Sequence, residues 1–435
     1  MITGFSYGFH DGAVATIDNN TIVNAFQNER LTRIKNDKRR PFIAVKGKTA
    51  FYEKPFIKNT RRWLAGQEWI SKKPKHDYYV SHHWSHGAAA YYTRPFQEEP
   101  VVVVIDSIGE WDTCSIWYKK KKVWSVGYPY SLGLFYSAIT QAIGLKPNED
   151  EYITMGMAAY GEPSINLEYL LETNLHHGID HKLSASSVDI ACSAQRLLET
   201  KILEIMLRAR KYSSHLCYGG GVALNCVANS KIRNIFDDVW IMPCPGDAGS
   251  ALGAAAAIND KMLDWKGPYL GTEINSIVNV KEIVDHLLRY KVCGIANGKA
   301  EFGPRALGNR SLLADPRYNI KDSINAIKKR QKFRPFAPAI LEEFAEKYFD
   351  GPKNEYMQYA SKAKHDYSSV THVDGTARVQ VVKKDCVSIL RPLLEQWYER
   401  TGCPMLLNTS LNIKGERMVD SRKDAYDFEI RYKVK

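Results

Sequence analysis

At 435 residues, 44% of them hydrophobic, the chain is long enough for two domains with cores of their own. No apolar run approaches the ~20 residues of a membrane-crossing helix, and eight cysteines without a CxxC pair exclude a zinc ribbon or a disulfide framework. The formal charge of +12 is local: segment 30–75 holds fifteen Lys and Arg against Asp37, Glu53 and Glu68, which equals the excess of the whole chain.

The opening residues carry no basic start and no signal-like apolar core, so a cytoplasmic protein is expected. Ile2–Tyr7, Ala13–Ile17 and Thr21–Phe26 read as strands, separated by a tight loop at 8–12 and a turn at 18–20. The basic segment follows, with Phe42, Phe51, Tyr52, Phe56, Trp63 and Trp69 among its charges. Cations interleaved with aromatics suit a surface that grips phosphates and stacks bases. The candidates are Arg33, Lys35, Lys38, Arg39, Arg40, Arg61, Arg62, Lys72 and Lys73; a solvated loop with a small apolar anchor is the alternative.

Next come His82 and His86, four apart before a helical stretch. On a helix both rings leave one face and can chelate one ion. The Glu of HExxH is missing, so this is no zinc-protease signature. Asp106, ending a buried strand, and Asp247, in a Gly-rich loop, are the candidate carboxylates. Two histidines plus carboxylate suit Fe2+ or another divalent ion; a structural histidine pair is the alternative.

The strand–loop–strand pattern then returns: Val101–Ile105, a loop at 106–110, Asp112–Tyr118, a lysine turn and Val123–Tyr128. Two such units about 100 residues apart predict an internal duplication. Their Asp-Gly and Asp-x-x-Gly loops resemble the phosphate-handling halves of the actin/hexokinase-type fold. Residues 130–215 read as mostly helical, most clearly 190–211. Leu216–Tyr218 runs into Gly219, Gly220 and Gly221, and Val239–Met242 into a loop ending at Asp247, before an Ala/Gly-rich helix at 248–258. Residues 260–273, with Gly267, Pro268 and Gly271, read as a linker dividing domains 1–262 and 274–435.

In the second domain, 301–317 packs Arg305, Arg310 and Arg317 among Gly303, Gly308, Asn309 and Ser311; Lys328, Arg330 and Arg334 follow. Guanidinium forks beside small residues suit phosphate oxygens. Interleaved Leu307, Phe333 and Phe336 point to a lined pocket, against the plainer reading of a solvated basic face.

An ordered set of motifs now stands along nearly the whole chain. It comprises His10-Asp11, Glu29-Arg30, His82/His86, Asp106 with Gly109-Glu110-Trp111, and the stretches 131–134, 151–156, 220–225 and 246–253. The second half adds 301–317, 333–338, 371–380 and 407–412. The set resembles the O-carbamoyltransferase family of nodulation-factor, cephem and aminoglycoside biosynthesis. The resemblance implies an α/β protein: an N-terminal actin/hexokinase-like duplicated domain, similar to the threonylcarbamoyl-transfer domain of tRNA modification, and a C-terminal YrdC-like domain. It implies that carbamoyl phosphate and ATP with Mg2+ give a carbamoyl-adenylate, whose carbamoyl group passes to a hydroxyl. The family's iron site maps onto His82, His86 and Asp247, with Asp106 beside it or as a further ligand.

Transfer would then use His10, Asp11, Asp106 and Asn225. Donor binding would use Gly220, Gly221, Asn225, Arg305, Asn309, Arg310, Ser311, Arg317, Lys328, Arg330 and Arg334. The chain departs from the family at Ile153, where a lysine is frequent, and after Asn412, where the remaining stretch is short.

The basic segment is not explained by the resemblance. It directs the acceptor reading to the hydroxyl of a 5-hydroxymethyl-pyrimidine, such as 5-hydroxymethylcytosine, in DNA or as a nucleotide, in a protein of bacteriophage origin. The alternative acceptor is a small-molecule sugar or antibiotic hydroxyl. A non-catalytic nucleic-acid-binding module is opposed by the intact His and Arg motifs. The expected partners are the acceptor, ATP and carbamoyl phosphate, without a membrane; a homodimer is left open.

Overall fold

The computed structural model describes residues 1–9, 11–45, 47–70 and 74–434. Two units emerge. One is Met1–Asn28 with Asn36–Trp265; the other is Glu29–Lys35 with Lys266–Lys435.

In the first unit, β1 (Ile2–Ser6), β2 (Ala13–Asp18) and β3 (Thr21–Gln27) form an antiparallel meander. Helix α1 (Asn28–Thr32) crosses the division between units. Then β4 (Lys48–Phe51), α2 (Pro55–Leu64) and β5 (Tyr78–Tyr79) extend the sheet in parallel beyond β1, giving the order β3-β2-β1-β4-β5. After α3 (His82–Tyr91) the same construction recurs. The meander is β6 (Val101–Ile105), β7 (Asp112–Tyr118) and β8 (Lys121–Gly127). It is followed by α4 (Leu132–Ala142), α5 (Glu151–Met157), α6 (Ser187–Arg210), β9 (His215–Gly219), α7 (Cys226–Ile232) and β10 (Asp238–Ile241). The second sheet runs β8-β7-β6-β9-β10, with β9 and β10 again parallel to β6. Both sheets therefore share one strand order and one set of directions, which is the duplicated actin/hexokinase-like architecture.

Helix α8 (Asp247–Asn259) covers β1, β2 and β4, while α3 covers β6 and β9, and the two helices pack on each other. Small residues permit this: a Cβ on Gly253 would lie 1.7 Å from the Ser85 carbonyl oxygen, and one on Gly4 1.9 Å from that of Ala251. All five residues of β6 are buried. Val101, Val103 and Ile105 join Leu198, Ile202 and Met206 of α6 in one core, each such side chain contributing roughly 1.5–3 kcal/mol.

The second unit begins its sheet structure inside the expected linker. β11 (Tyr269–Ile274) pairs with β13 (Gly298–Glu301), so the last residues of the 260–273 stretch belong to a strand. Between them lie α9 (Val280–Tyr290) and β12 (Val292–Ala296). Then come β14 (Arg310–Ala314), α10 (Lys321–Ile327), β15 (Ala337–Leu341) and α11 (Glu342–Tyr348). A small sheet of β16 (Phe349–Asp350), β17 (Ser361–Ala363) and β18 (Thr376–Ala377) precedes β19 (Gln380–Val382), α12 (Leu390–Thr401), β20 (Met405–Ser410) and α13 (Arg422–Tyr432). The main sheet is mixed, in the order β12-β14-β20-β15-β19, and α9 and α12 pack Leu287, Leu393 and Trp397 on one face. Among the described residues no helix is long and apolar enough to cross a membrane.

Candidate metal centre

The close approach of α3 and α8 brings His82, His86, Asp106 and Asp247 together. One ligand atom from each lies within 4.8 Å of the others. His82 and His86 sit one turn apart on α3, Asp247 is the first residue of α8, and Asp106 follows β6. His82 Nε2 is 3.0 Å from Asp106 Oδ2 and 3.5 Å from Asp247 Oδ1. His86 Nε2 is 3.3 Å from Asp247 Oδ1 and 3.6 Å from Asp106 Oδ2.

The donor set fits a divalent cation. The two Nε2 atoms face each other at 3.0 Å, so at most one can carry a proton there. A cation in place of that proton satisfies two imidazole nitrogens and two carboxylates at once. Burial alone would lower both histidines, but Asp106 acting with Glu53 on His82, and with Asp247 on His86, outweighs it and holds both up. Burial would likewise raise Asp106, yet the two imidazoles hold its carboxyl well below the usual range.

Surrounding groups fix each ligand. His86 Nδ1 is 2.9 Å from the Pro245 carbonyl, which places the proton on Nδ1 and turns Nε2 into the site. The Gly221 N–H donates to Asp106 Oδ1 at 3.0 Å. Gly220 has φ +91°, and a Cβ there would lie 2.2 Å from the Ile105 carbonyl oxygen, so only glycine fits. Glu110, itself buried, accepts from the backbone N–H of His82 at 3.0 Å and of Lys54 at 2.7 Å. It thus ties the starts of α3 and α2 together in place of side-chain caps, which neither helix has. Glu53 lies 3.9 Å from His82 Nδ1 and pairs with Lys58 at 2.7 Å. Sequence reasoning passed over Glu53, and took Glu110 only as part of a motif, since nothing in their spacing says where they fold.

Among the other expected site residues, His10, Lys72 and Lys73 lie outside the described residues. Asp11 is buried and accepts from Gln27 at 2.7 Å. Asn225 caps α7 through Ala228 N–H and exchanges two hydrogen bonds with Gln195.

In the arginine-rich stretch of the second unit, most of the cations have partners within the fold. Arg310 is fully buried, and its guanidinium donates to the carbonyls of Asp420, Asn297, Gly298, Asn309 and Thr272 at 2.8–3.2 Å. Its Nε, its Nη1 and one hydrogen of Nη2 are thereby held by backbone carbonyls. Arg317 forks onto buried Asp315 and lies over the Trp397 ring. Lys328 is buried against Ser410 and Asn412. Asn309 bonds Ser388 and Lys299, Ser311 accepts from Gly308 N–H, and Arg330 bonds Asn325 and Pro335 over the Phe336 ring. Arg305 and Arg334 are half-buried.

The expected nucleic-acid face is likewise divided. Arg33 belongs to the second unit, where it pairs with Asp424 at 3.1 Å and donates to the Met418 carbonyl. Arg61 is buried and donates to the Glu110 carbonyl at 3.2 Å. Both guanidinium groups thus have partners within their own unit. Arg39 forks onto Asp37, and Arg62 donates to the Glu68 carbonyl. Lys35, Lys38, Arg39 and Arg40 are exposed.

A family model described as carbamoyltransferase N-terminus matches residues 1–58, 44–182 and 172–256, and one described as carbamoyltransferase C-terminus matches 284–435. An uncharacterized protein of Synechocystis is 30% identical over 574 aligned residues, covering 98% of this chain and 93% of that protein. Nodulation protein NolNO of Sinorhizobium fredii is 30% identical over 519, covering 96% and 76%. Among solved structures, the activator of 2-hydroxyisocaproyl-CoA dehydratase from Clostridium difficile covers 60% of this chain and 94% of its own, with a TM-score of 0.38 and 13% identity.

Proposed function

We propose that this chain, which belongs to the carbamoyltransferase family, is an ATP-dependent O-carbamoyltransferase working through a carbamoyl-adenylate. The observation that carries the reading is the buried convergence of His82, His86, Asp106 and Asp247. In the first step water releases carbamate and phosphate from carbamoyl phosphate. Carbamate oxygen then attacks the α-phosphorus of ATP, and pyrophosphate leaves. In the second step the acceptor oxygen attacks the carbamoyl carbon, AMP leaves with the bonding pair, and the hydroxyl proton passes to a base. Adenylation is needed because carbamate oxygen is otherwise a poor leaving group.

The second unit, read as YrdC-like, would form the adenylate with Mg2+-ATP. Arg305 and Arg334 are assigned to the donor phosphates, since a guanidinium fork meets phosphate oxygens in two parallel bonds. His82, His86, Asp106 and Asp247 would hold Fe2+ or another divalent ion, which when bound polarises the carbamoyl oxygen as a Lewis acid. Gly221 and Pro245 keep Asp106 and His86 aimed at that point. His10, with Asp11, is assigned to orient the acceptor hydroxyl and take its proton.

A sugar-type hydroxyl on a small molecule is the first reading of the acceptor, supported by the similarity to nodulation protein NolNO. A 5-hydroxymethyl-pyrimidine in DNA or nucleotide form is the second reading. It is favoured by the exposed Lys35, Lys38, Arg39 and Arg40 within the +12 segment. Incubation with ATP, carbamoyl phosphate, Fe2+ and either an oligosaccharide or DNA containing 5-hydroxymethylcytosine, followed by mass measurement, separates them. A carbamoylated sugar supports the first reading and a carbamoylated nucleoside the second. Failure of ATP to exchange with pyrophosphate in the presence of carbamoyl phosphate would refute the carbamoyl-adenylate route itself.

A further inference from the structure

His82 turns Nε2 to Asp106 and His86, both at 3.0 Å, while its other ring nitrogen has no hydrogen-bond partner, although the residue is only 3% exposed. His86 differs, because its Nδ1 is settled on the Pro245 carbonyl at 2.9 Å. The carboxylate beside His82 Nδ1 is Glu53, whose Oε2 lies 3.9 Å away. Glu53 comes two residues after β4, and two contacts lay that stretch along α3. Ser85 Oγ donates to the Tyr52 carbonyl at 3.0 Å, and the Tyr52 ring centroid lies 5.2 Å from that of His82. On α2, Lys58 donates to both Glu53 oxygens at 2.9 and 2.7 Å. The pair is buried, with the Glu53 side chain 7% and the Lys58 side chain 11% exposed.

Stability does not account for this pair. Taking a carboxylate and an ammonium out of water costs about as much as their attraction gains, and apolar side chains of the same size would pack as well. What distinguishes the carboxylate is the ring nitrogen next to it. An imidazole that gives Nε2 to a cation keeps its proton on Nδ1, and that proton needs an acceptor. The 3.9 Å separation is longer than a hydrogen bond. The terminal torsions of Glu and His are broad, so the two can close it without a change of rotamer. A carboxylate makes the ring a stronger donor than a carbonyl does, which sets His82 above His86 in basicity toward a shared ion.

We infer that Glu53 is the positioning residue of His82: it takes the Nδ1 proton and keeps Nε2 turned to the cation. The inference rests on the metal-centre reading and is independent of the acceptor's identity. The test is titration of the full chain with Co2+, followed by visible absorption, beside melting of the metal-free chain. Glu53→Gln should weaken binding roughly tenfold or more and move the Co2+ band, because His82 is then a poorer donor. Lys58→Met removes the competing ammonium and leaves the carboxylate to His82. It should bind Co2+ at least as tightly as the parent, while melting earlier for want of the ion pair. Where that variant does not fold, Glu53→Gln with Lys58→Met removes both buried charges and should bind as weakly as Glu53→Gln alone. Equal titrations of the parent and Glu53→Gln overturn the inference. So does equal weakening by Glu53→Gln and Lys58→Met, the result expected of an ion pair that only braces α2. A parent chain that takes up no Co2+ overturns the metal-centre reading as well.

Discussion

Replacing Arg310 with Met should unfold the second unit before it impairs donor binding. The substitution keeps an apolar stem of similar length and removes a guanidinium whose Nε, Nη1 and Nη2 all donate to backbone carbonyls. Charge-assisted bonds contribute roughly 1.5–3 kcal/mol each. Nη1 divides itself among three carbonyls, so three independent bonds is the fair count. Partial entry of water puts the loss at the lower end, about 5 kcal/mol. At ~2–4 °C per kcal/mol for a unit of this size, that corresponds to roughly 10–20 °C in the calorimetric transition of the second unit. Arg310→Lys should fall nearly as far, because one ammonium cannot span carbonyls on four segments. The reasoning is refuted if R310M melts within about 2 °C of the parent while pyrophosphate exchange is lost, the outcome expected of a phosphate ligand.

Three further outcomes follow from particular contacts. Gly253→Ala places a methyl 1.7 Å from the Ser85 carbonyl, so α3 and α8 must part and binding of Fe2+ or Zn2+ should weaken by ~10–100-fold. Gly156→Ala, with nothing within 4 Å, is the control, and equal titrations would refute the idea. Asp315→Ala strips a fully buried carboxylate from the Arg317 fork and should cost about 1.5–3 kcal/mol, the guanidinium left behind being open to water; a urea midpoint equal to the parent's would contradict it. Burial, with the charge of Arg40, pushes His76 down to about 4. The unfolded chain, titrating near 6.5, therefore binds more protons between pH 6.5 and 4. Stability then falls as pH falls through that window, by ~1–2 kcal/mol after allowance for solvent screening. His76→Phe keeps the stack on Phe51 and should flatten that part of the profile; parallel curves would exclude His76 as the cause.

Local pattern made the duplicated sheets legible. Each meander opens on two apolar strands around a tight loop, buried at nearly every position, and a short apolar run bounded by turn residues is readable without knowing what packs on it. The cluster of two histidines and two aspartates was legible for a related reason. His82 and His86 are one helical turn apart, and Asp106 and Asp247 sit at a strand end and a glycine-rich loop. What could not be read was direction and occupancy. A sequence counts Arg310, Arg317 and Arg61 as cations but does not say that their donors already have carbonyl or carboxylate partners. Residue type carries no direction, so it cannot say that Asn59 of α2 faces in and Trp63 out. Glu53 and Glu110 reach His82 only through the fold, which brings together residues of no particular spacing.

The placement of Glu29–Lys35 in the second unit sets an order in time. Arg33 donates to the carbonyl of Met418, a residue 385 positions further on. At ~5–20 residues per second, a ribosome reaches that partner roughly 20–80 s after Arg33 is made. Throughout that interval the sheets of the first unit can close around their own residues, while a short segment near the start of the chain waits for contacts not yet synthesised. Completion of the second unit is therefore tied to synthesis of the stretch around Met418, and a stall before it would leave an early piece of the chain without its seat.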